Sequence, residues 1–170
     1  MEDNDLAQMA AAGDAAAFAI LVRRHQSRLR GYLRRMARGD HALADDLAQE
    51  SFLEAWRKIA QFQASGRFAG WLLRIAHSRY LMQARKRKLE PLEEMADMPE
   101  PQPADPALRL DLEAAMARLS LAERAALTLC HALGHSHEDA AEILGMKLGT
   151  LKSHALRGRE RLRRLLGDAP

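Results

Sequence analysis

A single cysteine, Cys130, occurs in the 170 residues, so no intramolecular disulfide can form and a reducing, cytoplasmic compartment is the expectation. No stretch approaches the roughly 18 consecutive apolar residues of a membrane span. The opening residues, MEDNDLAQMA, lack the basic and apolar segments of a secretory leader, so direct membrane insertion is not expected. Aromatic side chains are few, at 5%, while Ala, Leu and Arg dominate, which favours helix throughout and predicts no sheet. A glycine-rich phosphate loop, a nucleophile beside a base and a metal triad are all missing, so neither an enzyme nor a cofactor is expected.

Proline is rationed by position. Five of the six prolines (Pro91, Pro99, Pro101, Pro103, Pro106) fall in one segment that also carries Glu90, Glu93, Glu94, Asp97, Glu100 and Asp105 with no Lys or Arg from Leu89 to Ala107. Such a segment cannot propagate a helix and repels itself, so it reads as an extended acidic linker. The predicted fold class is therefore all-α: two small helical domains, residues 1–88 and 107–170, joined by an acidic Pro-rich linker at 89–106. The net charge of +3 conceals this segregation of basic helices from acidic linker.

In the first domain, breaks at Gly13-Asp14 and Gly39-Asp40 supply caps and predict helices over Asp3 to Ala12, on to about Met36, and from His41 to about Ala60. His25 falls in the apolar stripe of the second helix and is expected at the core edge with a hydrogen bond. Leu43, Leu47, Phe52, Trp56 and Ile59 are the predicted core contacts of the third, and Asp46, Gln49 and Glu50, at i, i+3 and i+4, form an exposed acidic patch. After the loop Gln61 to Gly66, a fourth helix has Phe68, Trp71, Leu72, Ile75 and Met82 as its apolar stripe. Its cations (Arg74, Arg79, Arg85, Lys86, Arg87, Lys88, with His77) lie beside a polar loop holding an aromatic, which suits unstacked single-stranded bases.

In the second domain, Leu108 to Leu119 form one predicted helix, Ser120 and Glu123 a capping box for the next, and Ser136 to Arg164 two helices around the turn Gly145-Met146-Lys147. The last helix has Leu148, Leu151, Ala155, Leu162 and Leu165 at whole-turn spacings, with Thr150, Ser153, His154 and Arg157 expected on the opposite side. Seven cations against the single acid Glu160 between Lys147 and Arg164 suit DNA phosphate, and the arrangement is that of a helix-turn-helix. Cys130, His131, His135 and His137 lie close together but lack a metal-ligand spacing, so no metal is assigned to them.

The chain resembles the extracytoplasmic-function (ECF) subgroup of the sigma-70 family of bacterial sigma factors over nearly its full length. The resemblance rests on Asp46-Leu47-Ala48-Gln49-Glu50 with Phe52 and Trp56, on Phe68-Ala69-Gly70-Trp71-Leu72 through Ile75-Ala76, and on Ser136 through Gly145, Gly149 through Ser153 and Arg157-Gly158-Arg159. It implies that Asp46, Gln49 and Glu50 dock on the β′ clamp helices of core RNA polymerase. Gln61, Phe62, Gln63, Ser65, Arg67, Arg74, His77 and Arg85 would hold the −10 promoter element. Lys147, Thr150, Lys152, Ser153, His154, Arg157 and Arg159 would read the −35 element. A contact with the β flap, an anti-sigma factor as partner, and passage of the acidic linker through the polymerase channel are further implications. The family often has Asn and Asp where Ser78 and Met82 stand, and Arg where His154 stands; Gly158 replaces an Ala, which at an exposed helix site weakens the helix by about 1 kcal/mol. The competing readings are a sigma-like adaptor that sequesters an anti-sigma factor and a plain operator-binding helix-turn-helix regulator.

Overall fold

Several helix starts in this chain follow side-chain caps. Asp14 accepts hydrogen bonds from the backbone of Ala16 and Ala17 and opens α2 (Ala15–Met36); Asp40 accepts from Leu43 and opens α3 (His41–Lys58). These follow α1 (Asp3–Ala11), and α3 ends in a 3-10 turn at Ile59–Gln61 before α4 (Phe68–Arg87). The computed structural model describes residues 1–63, 65–87 and 112–167. The predicted acidic linker, and the start of the helix predicted from Leu108, lie outside the described residues. Beyond them come α5 (Leu112–Ala117), α6 (Leu121–Leu127), a π-helical turn at Thr128–Ala132, α7 (His137–Leu144) and α8 (Leu148–Leu165). No strand occurs among the described residues, and none of their helices is long and apolar enough to cross a membrane.

The chain divides into two compact units, Met1–Gln83 and Ala84–Pro170, the division falling within α4. In the first, α1 packs on α2 and on the 3-10 turn, and α2 packs along α3. Its core is apolar, built from Leu21, Leu29, Leu33, Met36, Leu47, Phe68 and Leu72 among others, with Tyr32 and His77 as a buried polar pair. Two expectations fail here. Trp56, predicted to be core, is exposed and lies against Phe18 at 5.0 Å; Met82 is exposed rather than part of the α4 stripe. In both cases a large apolar residue stands at a position the neighbouring helices do not cover.

In the second unit Met116, Leu119 and Leu127 form a buried cluster that Leu162 and Leu165 of α8 help to close. Ser120 and Glu123 make the reciprocal capping box of α6, and Ser136 caps α7 through the backbone of Asp139. Gly145, in the left-handed conformation at φ 66°, ends α7 with a pair of bonds, its own N–H to the Glu142 carbonyl and that of Met146 to the Ala141 carbonyl. Gly158 is a correction to the expectation of an exposed site. It is buried where α8 crosses α6, and an added Cβ would lie 3.1 Å from Leu127 Cδ1 and 3.3 Å from Glu123 Cβ. The glycine lets two helices approach closely, and its weak helix propensity is offset by that packing.

Candidate protein and nucleic-acid interfaces

Asp46, Gln49 and Glu50 are all exposed on one side of α3. Beside them runs a groove of about 560 Å³ between α2 and α3, with Phe18, Val22, Phe52, Leu53 and Trp56 as its apolar floor and Asp45, Asp46 and Gln49 among its lining. Leu53 is 52% exposed. The patch is therefore amphipathic, and helical spacing alone, which assigns Phe52 and Trp56 to the core, does not disclose its apolar half. An exposed aliphatic and an exposed tryptophan one turn apart, flanked by carboxylates, form a surface suited to a helix with apolar and basic side chains.

In the loop before α4, Gln61, Gln63, Ser65 and Arg67 are exposed and Phe62 is half-buried. Phe62 lies edge-on to Phe68 at 5.8 Å and against Trp71 at 5.3 Å, so an aromatic cluster underlies the loop. Arg74 and Arg85 are exposed on α4. His77 is not: it is 6% exposed and shares a 2.7 Å hydrogen bond with the Tyr32 hydroxyl through Nδ1. Its place in the predicted −10 set is corrected accordingly. Burial drives its pKa down to about 4, so the ring is neutral at ordinary pH and contributes no cation to the surface. Arg79 is likewise drawn out of the cationic face by an ion pair with Glu54, which also accepts from Lys58 at 2.6 Å. Burial alone raises the Glu54 pKa, but the hydrogen bonds from Lys58 and Arg79 outweigh it and hold the carboxyl below its ordinary value.

On α8, Thr150, Lys152, Ser153, Arg157 and Arg159 are exposed, with Lys147 just before them. His154 departs from this set. It is 3% exposed and stands with Leu151, Ala155 and Gly158 on the buried side, Nδ1 lying 3.4 Å from Arg157 Nη2. Position explains this, since 151, 154, 155 and 158 are successive steps of one helical stripe, whatever the polarity of the side chain. Leu156 takes the outward place instead, 57% exposed between Ser153 and Arg159. An apolar side chain there can touch a thymine methyl, while Ser153, whose hydroxyl donates to the Gly149 carbonyl at 3.0 Å, keeps its lone pairs for a base donor.

The Cys130, His131, His135 and His137 set does not converge: among the described residues no three His, Cys, Asp or Glu are grouped to hold a metal. Cys130 is half-buried, which pushes its thiol pKa up.

Residues 21–90 match the sigma-70 region 2 family and residues 109–162 the sigma-70 region 4 family. The chain is 38% identical over 166 residues to the ECF RNA polymerase sigma factor SigE of Mycolicibacterium smegmatis, covering 90% of this chain and 64% of that protein, so it spans less than two thirds of that relative. It is 34% identical over 167 residues to the ECF sigma factor SigM of Mycobacterium tuberculosis, covering 97% and 85% of the two. Among solved structures, CnrH in complex with the cytosolic domain of CnrY superposes with a TM-score of 0.75 at 26% identity over 99% of each chain. The sigma factor RpoE, in complex with the anti-sigma factor NepR from Bartonella quintana, gives 0.71 at 30% identity, over 88% of this chain and 96% of that one.

Proposed function

The chain belongs to the ECF subgroup of the sigma-70 family, whose members are initiation factors rather than enzymes; from that premise we propose that it binds core RNA polymerase, directs it to a small set of promoters and assists DNA opening. The observation that carries this reading is the exposed patch of Asp46, Gln49 and Glu50 running into the Leu53 and Trp56 groove, a ready docking surface on the same unit as a loop built for base capture. Residues 1–88 take the polymerase and the −10 element, residues 107–170 the −35 element, and the acidic segment 89–106 connects the two roles. Gln61, Phe62, Gln63, Ser65, Arg67, Arg74 and Arg85 hold the unpaired −10 strand. A base flipped from the stack has lost its pairing partner, so polar side chains over an aromatic floor can read it cheaply.

The pair α7 and α8 acts as a helix-turn-helix, with α8 in the major groove. Thr150, Ser153 and Leu156 face base edges, and Lys147, Lys152, Arg157 and Arg159 hold phosphates. Partner exchange with an anti-sigma factor is supported by the likeness to two structures solved as complexes, one of them with a named anti-sigma factor.

Promoter-directed run-off transcription with purified core polymerase tests the assignment. Wild type is expected to give discrete starts, and Asp46→Arg/Glu50→Arg to abolish them while duplex DNA binding by the full chain persists. Discrete starts from the double variant would remove these residues from the docking surface.

A further inference from the structure

The N-terminal helix α1 is linked to both ends of the base-capture loop, at one end directly and at the other through α2. At the start, α1 packs against the 3-10 turn Ile59–Gln61 that leads into the loop. At the far end the connection runs through α2. Asp3 accepts a 2.9 Å hydrogen bond from Arg24 through Oδ1 and pairs with His25 Nε2 at 2.7 Å through Oδ2. Arg24 also donates to the Met1 carbonyl at 2.9 Å, so the start of α1 is tied down by two α2 residues. The His25 ring in turn lies 5.2 Å from Phe68, the buried first residue of α4, and Phe68 lies 5.8 Å from Phe62 and 5.7 Å from Trp71. The path from Asp3 to the loop floor is thus continuous: carboxylate, imidazole, then three aromatic rings. Asp3 is held ionised: burial pushes its pKa up, but the Arg24 and His25 hydrogen bonds outweigh it and the net shift is downward.

We propose that Asp3 and His25 are positioning residues for base selection, fixing the aromatic floor of the loop at 61–67 from α1 and α2 without touching DNA themselves. This rests on the reading of that loop as the −10 base-capture element. Selection between bases depends on a pocket held in one geometry before the base arrives, because a floor free to tilt accepts several bases with similar contacts.

The test uses the full chain on core polymerase and a set of single-stranded decamers that differ only in one central base. The readouts are the ratio of best to worst affinity and the hydrogen exchange of loop amides 62–67. Asp3→Asn is expected to speed loop exchange and lower the ratio by about tenfold, the equivalent of one lost charge-assisted contact. Asp3→Glu should restore both. Asp14→Ala, which removes the α2 cap and leaves the cluster intact, should change neither. A ratio within about twofold of wild type in Asp3→Asn overturns the proposal while the loop reading stands. An equal collapse in Asp14→Ala also overturns it, since general loosening of the unit would then suffice. Absence of any base preference in wild type overturns the proposal together with the loop reading.

Discussion

The two units combine a buried side and an exposed polar surface in opposite ways. In the N-terminal unit, burial and exposure are divided among elements: the core is apolar, a groove with exposed apolar and acidic lining lies along α2 and α3, and the loop before α4 rests on its own aromatic floor. In the C-terminal unit α8 does both jobs, burying Leu151, His154, Ala155 and Gly158 on one side while exposing Lys152, Arg157 and Arg159 on the other. The C-terminal unit also buries charge. Arg124 is wholly inaccessible and donates to the Leu119 carbonyl at 2.9 Å, and Glu123 is buried beside Arg161 at 3.3 Å. A short chain with few large apolar residues completes its interior with the stem and head of an arginine, and that interior is correspondingly intolerant of loss.

The contrast breaks hardest at Arg124. Arg124→Ala leaves the Leu119 carbonyl without this donor and opens a cavity, and it should destabilise the C-terminal unit by about 3 to 4 kcal/mol. Denaturant unfolding followed by hydrogen exchange should show α6 to α8 melting early while α1 to α4 keep their protection; simultaneous loss in both units would mean that they do not unfold independently.

Acid should strike the other unit. A histidine whose folded pKa is about 4, below the ordinary 6.5, binds its proton more readily in the unfolded chain. Stability from His77 is therefore complete above about pH 6.5 and declines as pH falls toward 4, by about 3 kcal/mol over that window. His77→Gln should flatten this slope in the N-terminal unit, as read by chemical denaturation at stepped pH; an unchanged slope would assign the acid sensitivity to other groups.

The smallest effect sharpens the comparison most. On helix propensity alone Gly158→Ala gains about 1 kcal/mol. Contacts of 3.1 to 3.3 Å with the buried Leu127 and with Glu123 oppose it, and overpacking of about 2 kcal/mol leaves a net loss of about 1 kcal/mol. A rise in the C-terminal unit's melting temperature would show that Leu127 yields.

What was legible in the sequence follows the range over which each residue acts. Asp14, Asp40, Ser120 with Glu123, and Gly145 all act within a few residues of themselves, so their capping roles could be read directly and the structure bears them out. His25, too, sits at the core edge with a hydrogen bond, as its place in the stripe predicts. His77 and His154 could not be placed by polarity, because a histidine's burial depends on a partner many residues away, such as Tyr32 for His77. Gly158 and Trp56 fail for the same reason in mirror image. The tight contact of the one and the exposure of the other are set by which neighbouring helix is present, and spacing along a single helix carries no record of that.

Trp56 and Trp71 are the only two tryptophans of the chain, and both lie in the N-terminal unit, one exposed on the groove between α2 and α3 and one half-buried beneath the loop before α4. Intrinsic emission is consequently blind to the C-terminal unit and doubly informative about the other. A partner covering the groove would shift the signal of Trp56, a base stacking in the loop would quench Trp71, and replacing either indole with phenylalanine would separate the two events optically without any attached dye.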